Sequence, residues 1–449
     1  MGVAVLMLAA AAMPVQAQMC DTLPEVISTL KTPTYGFPTV WDADYGERGR
    51  LIQFAAGVVM PEGTIMAYGV KIDLQTSQAL QTGLVELNRR GRTLVEQFVP
   101  AKDGEQPAGM AKLGERFVGV SNIRVGKGKD RHVRLSWYDR QGVYKREQIL
   151  SDAAYDYIAQ GIVPAAEGKG FVVIVQAVNR KDPKDQYGIL SRHTDDGKLV
   201  WKRAYRPGVN NMLAGLAVTD DKSYIATGKI IMDDGRMAGW ILKLGHDGTI
   251  LWQRTYPRGK YSVLNGGAAS SRVTPDGGHY YLVTGAAEPV DDNPHAAWVM
   301  EVDPAGEPVW QRYYRLKDYE FNGQDISARA DGRVVVVANA LTRDSYDPFM
   351  HDHIRVLSLS PRGAMLDDQS YLNGLKAQAS DVTRNASGET VITATILKEQ
   401  KKSEQEYGPE KPVPEGQQPA PEPPLQEGWV MVVPGLDVYE DPCVRKPRR

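Results

Sequence analysis

Histidine and cysteine are scarce in this sequence, with seven His and two Cys, so the places where they gather bound its chemistry. His351-Asp352-His353 is the densest run of metal-ligand types, and His295 stands in the corresponding loop one repeat earlier. Two His at i and i+2 on a strand point the same way and can reach one ion. Asp347, with Asp344, lies just before that run. Other Asp pairs occur at Asp182 and Asp185, Asp233-Asp234 and Asp291-Asp292. A ring of such carboxylates on one face would suit Ca²⁺, which prefers roughly six to eight oxygens. None of these loops has a regular Asp-x-Asp-x-Asp spacing, and ordinary turn chemistry explains the same residues. No cofactor is predicted; Ca²⁺ is the ion these loops would best suit.

Other catalytic signatures are missing from the sequence. There is no Gly-x-Ser-x-Gly elbow, no phosphate-binding Walker loop, no His-Glu-x-x-His helix and no paired CxxC motif. A glycosidase needs two spaced carboxylates, which 55 acidic residues cannot single out. The sharpest pattern is aromatic and cationic: Trp201-x-Arg203-x-Tyr205, Trp252-x-Arg254-x-Tyr256 and Trp310-x-Arg312-x-Tyr314. On a strand these side chains form one row, with each guanidinium set between two rings. Such a row is either a ligand ladder or a packing seam between repeats. Its recurrence in successive repeats favours the seam.

Two ladders of turns set the frame for these residues. One is a polar residue, two more, then Gly: Asn88 to Gly91, Asp139 to Gly142, Thr194 to Gly197, Gly245 to Gly248, Asp303 to Gly306 and Ser360 to Gly363. This is the chemistry of a type I turn followed by a bulge. The second ladder runs through Gly63, Gly114, Gly168, Asp220-Asp221, Gly277, Gly332 and Gly388. The period of roughly 50–58 residues suits four-stranded blades rather than helical repeats. The expected fold is therefore all-β, a single β-propeller of about seven four-stranded antiparallel blades spanning residues 48–443. Its last blade begins at Ala377 and carries a Pro-, Glu- and Gln-rich insert over 399–427, too polar to form a core. The closing strand comes either from Leu436 to Glu440 or from the N-terminal segment 18–47, near Val40-Trp41.

The compartment follows from the ends of the chain. Val3 to Met13 is apolar and Val15-Gln16-Ala17 fits a cleavage site, so 1–17 reads as a signal peptide, although no Lys or Arg precedes the apolar run. Gln18-Met19 before Cys20 does not fit a lipobox, which needs small residues there. Cys20 and Cys443 lie at the two ends of the mature chain, and an exported chain would join them as a disulfide. Residues 444–449 read as a basic tail. A periplasmic or secreted monomer is expected, with no transmembrane segment after cleavage. A net charge of −2 gives no global field for nucleic acid.

The run Gly239-Trp-Ile-Leu-Lys-Leu, followed by Asp247-Gly-Thr-Ile-Leu-Trp-Gln-Arg-Thr-Tyr256, resembles repeats of secreted bacterial β-propellers and the Trp-bearing repeats of quinoprotein (PQQ-like) propellers. The resemblance is good in units three to five, weaker in six and poor in one, two and seven. It implies fold more than activity. Quinoprotein dehydrogenases usually have eight blades, and many place an adjacent cysteine pair by the cofactor; this chain has neither feature. The blade-joining loops carry Arg206, Arg258, Lys260, Arg315 and Lys317 with Tyr261, Tyr314 and Tyr319, and should share a face with the Asp-rich loops. Such a mixed surface suits a protein or glycan partner. The expected function is a non-catalytic binding or scaffold propeller. The alternative is a metal- or cofactor-dependent periplasmic enzyme built on the Asp/His loops.

Overall fold

The computed structural model describes residues 23–435, apart from 48–49, 74–75, 129, 209, 274–276, 290–294, 330–331, 344–349, 386 and 399–424. Among the described residues every regular element is a strand. Six antiparallel groups of four follow one another along the chain. Unit one is Arg50–Val59, Ile65–Asp73, Ala79–Leu87 and Thr93–Pro100; unit two is Gln106–Leu113, Arg116–Val125, Asp130–Tyr138 and Tyr144–Leu150. Unit three is Tyr155–Pro164, Phe171–Asn179, Gln186–His193 and Leu199–Tyr205; unit four is Asn211–Val218, Tyr224–Ile231, Met237–Leu244 and Ile250–Pro257. Unit five is Ala268–Val273, His279–Ala287, Ala296–Val302 and Pro308–Arg315; unit six is Tyr319–Ala328, Val334–Thr342, His353–Leu359 and Met365–Tyr371. A seventh group, Lys376–Arg384, Thr390–Lys398 and Leu425–Val433, takes Trp41–Glu47 as its fourth strand. Trp41–Glu47 then turns back to pair briefly with Arg50–Val59, which joins this group and unit one into an eight-stranded sheet.

The turns are built as the residue types require. Asp303 accepts the Ala305 and Glu307 amides at 2.9 and 2.8 Å, and Gly306 takes a φ of 84° that a side chain would resist. Each of the seven first strands carries a bulge at a matching place, after Phe54, Pro107, Ala159, Leu213, Ser270, Gly323 and Ala379. A bulge bends its strand and strengthens the local twist. The bend lets each first strand pack against the next, and the one from the seventh group packs against that of unit one.

Hydrophobic burial lies between groups rather than within them. One buried cluster joins Val118, Trp137 and Val133 of unit two to Phe171 and Val173 of unit three. Another joins Ile52 and Phe54 of unit one to Val391, Val430 and Val432 of the seventh group. Every neighbouring pair has such a cluster. Each sheet buries both faces, so its middle strands read as continuous Val, Ile and Ala runs such as Phe171–Asn179.

Two features depart from expectation. Leu425–Glu427 are strand residues, not insert: they pair with Lys398, Leu397 and Ile396, and Glu427 meets Lys398 at 3.2 Å. Unit five is also more than four-stranded. Glu25–Thr29 adds in parallel to the outer edge of Pro308–Arg315, and Ser262–Val263 pairs with its second strand. The N-terminal segment thus runs along the outer edges of three units. Lys31 accepts from Arg355 at 3.0 Å in unit six, and Phe37 packs against Tyr371 before Trp41–Glu47 joins the seventh group. Leu436 to Glu440, the other closing strand considered, lies outside the described residues, as do Cys20, Cys443 and the segments 1–17 and 444–449.

Candidate functional site

The loops between second and third strands meet the connectors between units at one end of the sheets. Arg180 donates to the carbonyls of Ala153, Asp152 and Tyr155, and the Arg343 amide reaches the Asp318 carbonyl. Their side chains are organised by local pairing. Arg206 lies 3.5 Å over the Tyr187 ring, Tyr155 packs edge-on against Tyr187, and the Tyr155 hydroxyl donates to Asp185 at 2.8 Å. Arg258 faces Tyr313 and pairs with Glu25. Lys317 is almost fully exposed. Tyr314 does not belong to this surface: it is buried, and its hydroxyl donates to the Gly363 carbonyl.

The candidate metal residues are placed but not gathered. His295 stacks on Tyr261 at 4.0 Å and meets Glu320 through Nδ1 at 2.9 Å. His351 Nδ1 lies 3.0 Å from the Leu375 carbonyl. His353 is buried, with Nδ1 2.9 Å from the His351 carbonyl and its ring edge-on to Tyr319 and Tyr35. Asp352, between the two, accepts the Thr342 amide and the Gln378 side chain. Asp182 caps the Lys184 amide, and Asp234 pairs with Arg236. Among the described residues, no three His, Cys, Asp or Glu side chains come together as a metal set. Asp347, Asp344 and Asp291-Asp292 lie outside the described residues.

Burial pushes the His353 imidazole down to about 4 from 6.5. The neutral form is therefore favoured in the fold, and stability is lost as pH falls from 6.5 toward 4. Compared with wild type, His353→Gln should lose about 2 kcal/mol less between pH 7 and pH 4.5, read from urea midpoints at each pH.

The Trp-x-Arg-x-Tyr rows lie against the turn of the following unit. Tyr205 donates to the Gly248 carbonyl at 2.8 Å, and Tyr256 to that of Gly306 at 2.6 Å. A Cβ at Gly248 would come within 2.9 Å of the Trp201 ring and 3.0 Å of the Arg203 stem. Gly306 sits likewise under Trp252 and Arg254, and Gly363 under Trp310 and Arg312. The guanidinium-over-ring contact is seen for Arg312 on Trp310 at 5.4 Å, whereas Arg254 pairs with Glu307 at 3.0 Å. The N-terminal strand repeats the arrangement: Trp41 covers Gly91, and Tyr45 donates to the Gly91 carbonyl at 2.5 Å.

One pair of chemically notable groups has no counterpart in the sequence analysis. Asp325 and Asp381 directly follow the bulges of the first strands of unit six and the seventh group, where the first strands converge. Asp381 accepts the Gly57 amide of unit one at 2.9 Å. Asp325 fits against Gly267, where any Cβ would overlap its carboxylate. Burial, reinforced by the Asp381 charge, pushes Asp325 up to about 7. Burial pushes Asp381 up to about 6 against the pull of the Gly57 and Val382 amides. Two such carboxyls exchange protons near neutral pH. Aligning the seven first strands at the bulge would have exposed them: Ala56, Gly109, Gly161 and Gly215 stand where Arg272, Asp325 and Asp381 stand elsewhere.

No family model matches the chain, and no curated protein matches it. Among solved structures, a phage phi92 endosialidase is similar at 9% identity and TM-score 0.44, over 91% of this chain and 71% of that one. The β-propeller domain of the Trilobed protease from Pyrococcus furiosus is similar at 8% identity and TM-score 0.42, over 77% and 89%. A protein of unknown function from Dyadobacter fermentans is similar at 12% identity and TM-score 0.41, over 88% and 99%. These likenesses are too remote to bear on what this chain binds or does.

Proposed function

We propose that the chain is a single seven-bladed propeller, closed by Trp41–Glu47 as the outer strand of its last blade, that works as an exported binding or scaffold protein. What supports the ring is the shared burial between every neighbouring pair, including the seventh group and unit one. Closure leaves no unpaired end to the repeat, and a Cys20–Cys443 disulfide would lock the two termini outside the cytoplasm. The chain acts as a monomer in the periplasm or beyond it. Non-reducing peptide mapping should recover a linked Cys20–Cys443 peptide, and two alkylatable thiols would contradict the closure.

The partner is a protein, bound across the loop face. The observation that carries this reading is the Arg206, Tyr155 and Asp185 group, part-exposed yet fixed in position by stacking on the buried Tyr187 ring and by hydrogen bonds. Preorganised Tyr and Arg side chains are the usual anchors of protein interfaces, because little freedom is lost on binding. The Trp-x-Arg-x-Tyr rows are seams between blades and do not belong to this face. A thermal-shift series with oligosaccharides, Ca²⁺, Zn²⁺ and PQQ should leave the melting temperature unchanged. A ligand at 100 times its Kd would add about 2.7 kcal/mol, so binding would be visible. A shift with an oligosaccharide alone would make the partner a glycan; a shift with a metal or PQQ would favour the enzyme reading.

A further inference from the structure

The outer strands of units three and five are close in sequence, Leu-Val-Trp-Lys-Arg-Ala-Tyr against Pro-Val-Trp-Gln-Arg-Tyr-Tyr, but they differ in what covers them. In unit five the edge is occupied. Glu25–Thr29 pairs in parallel with Gln311 to Arg315; the Gln311 amide reaches the Pro24 carbonyl at 2.7 Å, and the Leu30 amide reaches that of Arg315 at 2.7 Å. Arg312 donates Nη1 to the Leu23 carbonyl at 3.1 Å and Nη2 to Arg362 at 2.8 Å. That edge is consequently buried from Arg312 to Tyr314.

Among the described residues no strand pairs with the corresponding edge of unit three. Lys202, Arg203 and Ala204 are exposed where Arg312 and Tyr313 are covered. The Arg203 side chain makes no hydrogen bond or ion pair with the described residues, although its stem rests on Gly248 as Arg312 rests on Gly363. Lys202, Ala204 and Arg206 align with Gln311, Tyr313 and Arg315, and each has an N–H to give. Unit four differs: Pro257 stands at the place of Arg315 and has no N–H, a device that blunts an edge against pairing. Unit six is shielded by the N-terminal segment through Lys31 and Phe37.

We propose that the outer edge of unit three, Leu199–Tyr205, docks an extended segment of a partner protein as a parallel fifth strand. The partner's segment resembles what unit five already holds: a short β-branched stretch, preceded by a residue whose carbonyl Arg203 captures as Arg312 captures Leu23. Backbone pairing supplies the affinity of such strand addition, and the side-chain contact supplies register. This surface lies along the outer edge of the sheet and meets the loop face only at Arg206.

The probe is a synthetic peptide of the chain's own residues 23–31, labelled and titrated against the full-length exported chain. Saturable binding is expected, with slowed amide exchange at Lys202, Ala204 and Arg206. Arg203→Met, which keeps the stem and removes the donors, should weaken binding about tenfold, the loss of one good polar contact. Ala204→Pro, which removes an edge N–H, should weaken it at least as much, with an unchanged melting temperature for both variants. Thr255→Pro in unit four should have no effect. No saturable binding, or protection at Gln311 to Arg315 through displacement of the resident strand, would overturn the proposal. Dimerisation of the chain through Leu199–Tyr205 without added peptide would also overturn it, since the occupant would then be a second copy.

Discussion

Glu105→Ala should destabilise the protein by about 3–5 kcal/mol. Glu105 sits in the connector between units one and two, almost fully buried, and both its oxygens accept from Arg134 at 3.0 and 2.8 Å. Arg134 is also buried and reaches Glu147 through Nε at 2.9 Å. Removing the carboxylate leaves the buried guanidinium with the part-exposed Glu147 as its one remaining carboxylate, and desolvation of that under-compensated charge is the larger part of the cost. A surface ion pair in the same chain, such as Arg116 with Asp196, should show at most about 1 kcal/mol when truncated. Replacing Glu105 and Arg134 together with Leu and Met should recover much of the loss, because no buried charge is then left without its partner. Urea denaturation of the single and double variants measures the difference.

At pH 8, Asp325→Asn should stabilise the fold, and Asp381→Asn should do so to a smaller degree. Both carboxyls have folded pKa values raised above the unfolded value of 3.8, to about 7 and about 6. The folded state therefore holds protons that the unfolded state releases. Stability is intact below pH 4 and is lost as pH rises to 6 for Asp381 and to 7 for Asp325. The sign is opposite to that of His353, whose contribution is lost on acidification. After allowance for partial water access, each Asn variant should gain about 1–3 kcal/mol at pH 8 and little at pH 4. Equal gains at both pH values would mean that the carboxyls are not strained by ionisation.

The turns were the most legible part of the sequence. Asp303, Ser360 and the glycines that follow them act within four residues, so their chemistry is fully local. Third and fourth strands were legible for the same reason, since Trp201, Arg203 and Tyr205 alternate along one strand. What was not legible depends on contacts between units. Nothing near Glu25–Thr29 announces that it pairs with residues close to position 311, because strand addition is set by an available edge. Asp325 and Asp381 looked like two more acids among many. Their character comes from Gly57 and Gly267, which belong to other units. The histidines differ in the opposite direction: His351 and His353 stand two apart in sequence, yet each ring lies against a different backbone carbonyl. The start of the third strand at Leu425 was hidden by the Pro- and Glu-rich stretch that runs into it.

The central claim is that one face of the ring presents fixed Tyr and Arg side chains to a protein. Photo-crosslinking amino acids placed at Arg206 and Lys260, on the loop face, test it against the same probe at Asp196 and His246, in the turns at the other end of the sheets. In cells that make the full-length chain, the account predicts one discrete adduct from the loop-face positions and none from the turns. An adduct from the turn positions, or none from either face, would contradict it.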